Sequence, residues 1–286
     1  MNSQSSPPKC RNLLCPRAKL AWMWRWRPPK GVQLNKQWYC SLSCFEQGAA
    51  ELLGKMNLKV NRGRTIRYRL PLGLLLLSKG LISAQHLQDA LKAQRESQRG
   101  RLGDWLREQG LVNEDQVTGA LGVQWGLPVF HLAQSPGFAE CAEMAPLSIL
   151  EAARMVIVHH MPTSRTVYVA FSDGIDFPAL RTLEQMLDCS TQPCVIGDSE
   201  MREALDAVRQ MVRTPETVIE CPHAPRELAV TIREWAESNH AIEVRAALAP
   251  ECLWVRMEND ASTGDLLFRL QESPQEAGEP QAIPAV

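Results

Sequence analysis

Two groups of residues in this 286-residue chain have the types and spacing to do chemistry. The first is four cysteines in two close pairs, Cys10-x4-Cys15 and Cys40-x3-Cys44, with twenty-four residues between the pairs. Such pairs can supply tetrahedral thiolate coordination to zinc; the alternative is four scattered buried thiols. The second group is Gln94 and Gln124 with the apolar residues ahead of them. Leu87, Ala90, Leu91 and Gln94 fall at i, i+3, i+4 and i+7, the spacing of one helix face. Val117, Ala120, Leu121 and Gln124 repeat that stripe. Each stripe ends on a carboxamide, which loses roughly 1–3 kcal/mol if left without a hydrogen-bond partner. Something polar should therefore sit beside each glutamine, whether a group of the fold or a ligand.

The elements that carry these stripes are one pattern written twice, PLGLLLLSKGLISAQHLQDALKAQ ending at Gln94 and RLGDWLREQGLVNEDQVTGALGVQ starting at Arg101. At an offset of thirty residues, Leu72/Leu102, Gly73/Gly103, Leu76/Leu106, Gly80/Gly110, Leu81/Leu111, Ala90/Ala120, Leu91/Leu121 and Gln94/Gln124 are identical. An internal repeat sets the unit of the fold. Each copy reads as a helix pair. A short helix runs into Gly80 or Gly110, the favoured left-handed helix end. A capping residue, Ser83 or Asn113, then opens the striped helix, and Asn113 has Gln116 at capping-box spacing.

The doubled LG-x-x-L…G-[LI]-[IV]…L-x-x-x-L-x-x-Q pattern, followed by Trp125-Gly-Leu-Pro128, resembles the MshEN domain. That is the N-terminal domain of type II secretion and type IV pilus assembly ATPases. The resemblance implies that the two copies together hold one cyclic di-GMP. It assigns ligand contacts to Leu72, Gly73, Leu87, Leu91 and Gln94 in the first copy, and to Arg101, Leu102, Gly103, Val117, Leu121 and Gln124 in the second. The first copy departs from the family's opening arginine, having Pro71 there, with Arg69 two residues upstream. A guanidinium makes bidentate contacts that a neighbour cannot simply replace.

The expected fold class is α+β. Residues 1–54 form a four-cysteine zinc-like module, in which YCSLSCF resembles the treble-clef modules whose cysteine pair opens a helix. Residues 55–70 form a basic linker, and 71–130 an all-α lobe of two helix hairpins. Residues 131–212 form a second lobe of β-β-α-β-α order, with strands at Met155–Val158, Thr166–Ala170 and Cys194–Ile196. Its helices run from Phe177 to Leu187 and from Ser199 to Met211, the latter capped by Ser199. Residues 213–271 form a third small α/β unit, and 272–286 a disordered tail.

Charge is uneven. Residues 1–70 hold fourteen Lys/Arg and two acids, whereas 71–286 hold seventeen Lys/Arg and thirty acids. A basic arm on an acidic body suits either an anionic partner or internal docking. Within the arm, Trp22, Trp24 and Trp26 alternate with Met23, Arg25 and Arg27, a strand-like pattern. It serves either as core for the cysteine module or for stacking on nucleic acid, so DNA binding by residues 1–70 is a further class.

An enzyme is not expected. Gly54-Lys55 fails as a phosphate loop, because Gly48 lies one residue too far upstream and Met56 stands where Ser or Thr is needed. Asp173 and Asp176 read as turn and cap residues. His159 and His160 are strand neighbours facing opposite ways, so they do not share a metal. The start of the chain lacks the apolar core of a signal peptide, and the run Leu72–Leu77 is too short to span a bilayer. The expectation is a cytoplasmic, non-enzymatic cyclic di-GMP-binding adaptor, with a protein partner in a secretion or pilus assembly. The alternative is a scaffold of the same system that has lost the nucleotide.

Overall fold

The computed structural model describes residues 9–17, 30–56, 58, 70–97, 100–134, 138–141, 143–211, 214–220 and 224–270. The expected strand through Trp22–Arg27, most of the basic linker and the 272–286 tail lie outside the described residues.

Residues 10–15 form a tight knuckle, tied to the following hairpin by Arg11 N–H donating to the Trp38 carbonyl at 2.9 Å. Strands β1 (Val32–Leu34) and β2 (Gln37–Tyr39) pair antiparallel. Asn35 and Lys36 turn between them with φ of 46° and 66°, the twist that two-residue hairpin loops need. Helix α1 (Leu42–Lys55) starts at Ser41, whose hydroxyl accepts the Cys44 N–H at 3.3 Å.

Four helices follow, α2 (Leu72–Ser78), α3 (Ala84–Ser97), α4 (Leu102–Glu108) and α5 (Glu114–Trp125). The repeat is preserved down to single hydrogen bonds. Leu81 N–H reaches the Leu76 carbonyl at 3.0 Å, and thirty residues on Leu111 N–H reaches that of Leu106 at 3.0 Å. Gly80 and Gly110 supply the left-handed φ of 68° and 69° that this helix end requires. Ser83 and Asn113 cap as their positions suggested, and Asn113 and Gln116 form the reciprocal box. The helices are not self-contained hairpins, however. The main packing of α2 is along α5 and that of α4 along α3, so the copies interleave.

A 3-10 turn (Leu132–Gln134) and helices α6 (Phe138–Cys141) and α7 (Leu147–Ala152) lead into the second lobe. It contains β3 (Met155–Met161), β4 (Thr166–Phe171), α8 (Phe177–Leu187), β5 (Ser190–Val195) and α9 (Asp198–Gln210). The three strands lie in chain order, β3 antiparallel and β5 parallel to β4. Here β5 begins four residues before the expected strand, the segment containing Pro193, and the sheet is extended by Val129 bridging Val195.

The chain closes with β6 (Glu216–Glu220), α10 (Pro225–Ser238), β7 (Glu243–Leu248), β8 (Cys252–Glu258) and β9 (Thr263–Arg269). These strands join the N-terminal hairpin in one six-stranded sheet, ordered β2-β1-β7-β8-β9-β6. Strand β1 runs parallel to β7. The Asn35 side chain adds two rungs, donating to the Ala246 carbonyl at 3.0 Å and accepting its N–H at 2.8 Å. Phe45, Ala49 and Leu53 of α1, with Leu228, Ile232 and Ala236 of α10, share one core with Val244, Leu253, Val255 and Phe268 of the sheet. On the opposite face of β8 and β9, Asp265 accepts from Trp254 Nε1 at 2.7 Å and from Arg256 Nε and Nη2 at 2.8 and 2.7 Å.

The chain thus divides into two compact units, Met1–Arg62 with Thr214–Val286, and Gly63–Arg213. The expected separate modules 1–54 and 213–271 are parts of one unit. The physical reason is that a three-residue strand pair cannot stand alone and completes itself on the β7 edge, across 211 residues of chain.

Helix α5 offers an internal test of this packing. A Cβ on Gly119 meets nothing within 4 Å, whereas one on Gly122 would come within 2.8 Å of Val129 and 3.1 Å of the Leu127 carbonyl. Gly119→Ala should stabilise unit Gly63–Arg213 by about 0.5–1 kcal/mol through helix propensity. Gly122→Ala should cost about 1–3 kcal/mol through overpacking. Denaturant midpoints of the two variants check this, and equal shifts of one sign would contradict the packing described.

Candidate functional site

In the helical lobe the core proper is Leu76, Ile82, Ala90, Leu106, Val112 and Ala120. The stripe residues Leu87, Leu91, Val117 and Leu121 stand at its border and are only half-buried, as are Leu72 and Leu102. Gly73 and Gly103 are buried where the copies meet. A Cβ on Gly73 would lie 2.5 Å from Leu87 and 3.0 Å from Leu102. One on Gly103 would lie 3.0 Å from Val117 and 3.6 Å from Leu72. The two glycines therefore let the short helices approach each other and the stripes.

Both glutamines have partners, and the partners are reciprocal. Gln94 donates Nε2–H to the carbonyl of Gly100 at 3.0 Å, and Gln124 donates to that of Leu70 at 2.6 Å. Gly100 and Leu70 each precede the opening residue of the other copy. Each amide thus ties the end of its own copy to the start of its sister. Each donation engages one of the several hydrogen-bonding groups that a carboxamide offers.

Pro71 and Arg101 occupy equivalent extended positions ahead of α2 and α4, with φ/ψ of −61°/142° and −97°/156°. Their surroundings differ. Arg101 N–H donates to the carboxylate of Asp104 at 3.2 Å. Thirty residues earlier the matching side chain is Leu74, which cannot accept, and proline has no N–H to leave orphaned.

The Arg101 side chain is held by three acids. Its Nε reaches Asp104 at 3.2 Å, its Nη1 reaches Asp173 Oδ1 at 2.8 Å, and its Nη2 meets Asp198 Oδ2 in a short contact. Burial by itself would lower the pKa of Arg101; Asp173 and Asp198 more than reverse it and hold the guanidinium charged. Asp198 Oδ1 is buried without a hydrogen bond and lies 3.6 Å from Arg154 Nη2. A cleft of about 520 Å³ opens here, with Arg107, Arg154 and Arg202 on its walls beside Arg101, Asp104 and Asp198.

A second polar joint lies next to it. Helix α9 starts one residue earlier than expected, and Ser199 is not its cap. Its N–H and hydroxyl both donate to Glu114 of α5, at 2.6 Å each. A carboxylate at a helix N-terminus is favoured by the exposed N–H groups there. Burial would raise the pKa of Glu114; the two Ser199 bonds and Arg107 outweigh it and hold the carboxyl below its usual range. Asp176 caps α8 through Ala179 N–H at 2.8 Å, as its position suggested, while Asp173 is engaged by Arg101. His159 and His160 sit beside a bulge in β3.

The four N-terminal cysteines converge. The sulfurs of Cys10, Cys15, Cys40 and Cys44 all lie within 4.8 Å of one another, and three of the residues are buried. Cys15 and Cys40 are 3.5 Å apart, Cys40 and Cys44 3.9 Å. Tetrahedral thiolates about 2.3 Å from a metal stand roughly 3.8 Å from each other. These separations are far beyond a disulfide bond, so the cluster can hold a metal ion. Burial and the bond to Cys15 push the Cys40 thiol up. At Cys44 burial also raises the pKa, but hydrogen bonds from Ser41 and Asn12 outweigh it and the thiol is lowered. Gly54 and Lys55 form the last turn of α1, whereas phosphates bind at helix beginnings.

No family model matches the chain. Over 137 residues, 47% of the chain, it is 28% identical to the type IV pilus assembly ATPase PilB of Myxococcus xanthus (strain DK1622), and the match covers 23% of that protein. The chain therefore spans about a quarter of the length of this curated relative. Among solved structures, MshE with cdg aligns at a TM-score of 0.42 and 28% identity, covering 49% of this chain and 99% of that one. The N-terminal domain of XpsE aligns at 0.35 and 18% identity, covering 47% and 91%.

Two measurements check the site. Purified chain should carry one metal equivalent, and chelation should lower amide-exchange protection in β7 and β8 while leaving β3–β5 unchanged. Unaltered protection in β7 would show that the shared sheet does not depend on the cluster. At the second joint, the folded pKa of Glu114 is depressed. Its stabilisation is therefore complete above its unfolded value, about 4.3, and is lost as pH falls through the lower folded value. Glu114→Gln should cost about 1 kcal/mol at pH 7 and flatten the stability curve below pH 4.3. An acid limb identical to wild type would remove Glu114 from that linkage.

Proposed function

We propose that this chain, similar over 137 residues to a type IV pilus assembly ATPase and homologous to the N-terminal domain of type II secretion and type IV pilus ATPases, is a non-enzymatic regulatory adaptor. Its helical lobe binds cyclic di-GMP. The observation that carries this reading is the pairing of two matched, half-buried apolar ridges across a reciprocal joint. Cyclic di-GMP is itself two-fold symmetric, with two guanines to cover and two phosphates to neutralise. Leu87 and Leu91 on one side, and Val117 and Leu121 on the other, supply apolar surface for the bases. Leu72 and Leu102 flank the axis, and the buried Gly73 and Gly103 let the short helices approach closely enough to bring the two ridges together. Arg101 supplies charge to a phosphate. Gln94 and Gln124 hold the two entry loops in place and offer their remaining polar groups.

The cluster of four cysteines holds structural zinc, the metal best matched to four thiolates in tetrahedral array. The protein acts in the cytoplasm beside a secretion or pilus assembly, and presents a ligand-dependent surface to a protein partner there. No helix among the described residues is long and apolar enough to cross a membrane.

A second reading has its own support. Pro71 replaces the motif arginine, and both amides already bond the backbone. A scaffold that keeps the fold for docking and has lost the nucleotide would look the same.

Titration of the full chain with cyclic di-GMP separates them. Saturable heat at tens of micromolar ligand is expected, with Arg101→Ala weakening binding about tenfold or more and Pro71→Arg strengthening it. No heat from wild type or from Pro71→Arg leaves the scaffold reading.

A further inference from the structure

We infer that Asp173 and Asp198 form a latch that occupies Arg101 in place of a ligand phosphate, and that a phosphodiester anion enters the Arg101 cleft by displacing them. The inference rests on the cyclic di-GMP reading and names how that site is regulated. Three observations support it. First, Arg101 makes the contacts a phosphate would make, but with carboxylates. Nη1 and Nη2 engage two different side chains, from the turn before α8 and from the first turn of α9. Second, the latch is imperfect. Asp198 Oδ1 is buried and makes no hydrogen bond, and Arg154 Nη2 is 3.6 Å from it, longer than such a bond allows. Third, there is room and charge for an anion. Arg101, Arg107, Arg154 and Arg202 outnumber Asp104, Glu108 and Asp198 around the same cleft of about 520 Å³, and Arg154 is half-exposed.

The arrangement gives the second copy a function that the first lacks. Both acids of the latch belong to the α/β lobe, whereas Arg101 belongs to the helical lobe. A phosphate that takes Arg101 therefore loosens one polar joint between the lobes and leaves the Glu114–Ser199 joint and the backbone bonds of Pro128 and Phe130 to Val195 to hold them. Ligand entry and a change at the start of α9 become one event. Arg154 and Arg202, which come from outside the repeat, add cations beside Arg101 in the second copy only.

The test is calorimetric titration of the full chain with cyclic di-GMP, comparing wild type with Asp173→Asn and Arg154→Ala, and amide exchange across α9. Asp173→Asn keeps the shape of the turn residue and removes its charge. It should tighten binding by about tenfold, and Arg154→Ala should weaken it. Bound ligand should speed exchange in the first turn of α9, which a merely structural Asp173 would not cause. If wild type binds and Asp173→Asn binds equally or less well, the latch is overturned and the ligand reading stands. If neither wild type nor Asp173→Asn binds, both fall. Binding by Asp173→Asn alone would support a latch strong enough to silence the site.

Discussion

A helix of seven residues makes too few internal hydrogen bonds to persist by itself in water, and the helical lobe contains two of them, α2 and α4. That constraint explains the rest of the lobe. Each short helix is sandwiched by the long helix of the other copy. The sandwich closes only because glycine occupies the second position of each. The glutamine amides then tie the loop that enters each short helix to the far end of its neighbour. The stripes are left at the edge of the core instead of inside it, because Ala90 and Ala120, not the leucines, take the fully buried positions.

The same logic of incomplete pieces applies to the chain ends. The cysteine hairpin has two three-residue strands and one helix, too little apolar surface to fold without a staple. The cluster of thiols provides a staple locally, and the β7 edge provides a sheet. Residues from both ends thus build one unit, and unit Gly63–Arg213 is an insertion within it. An edge strand that would otherwise present unpaired backbone groups is covered by the hairpin.

The pairing of Pro71 with Leu74, against Arg101 with Asp104, shows how a repeat diverges without losing its backbone. The arginine copy faces the α/β lobe and carries charge. Among the described residues the proline copy has no such lobe against it, and Leu74 is 49% exposed. Opening residue and fourth residue differ together: Arg101 N–H has the Asp104 carboxylate to accept it, and proline has no N–H to satisfy beside Leu74.

Much of this was legible in the residues themselves. The doubled stripe, the left-handed glycines, the Asn113 box and helix Phe177–Leu187 are local patterns, decided by period and capping within a few residues, and they stand where the sequence puts them. So does the convergence of the cysteines, because pairs at short spacing on a knuckle and a helix start have few other arrangements. What only tertiary structure decided is which pieces meet. Nothing in a three-residue strand names its partner 211 residues away. Nothing in Ser199 indicates that Glu114 will take its N–H. No spacing reveals that each glutamine bonds the opposite copy, or that Arg101 is held by Asp173 and Asp198. These are long-range choices made by burial and by charge, in which a group accepts whatever compatible partner the packed fold brings within reach.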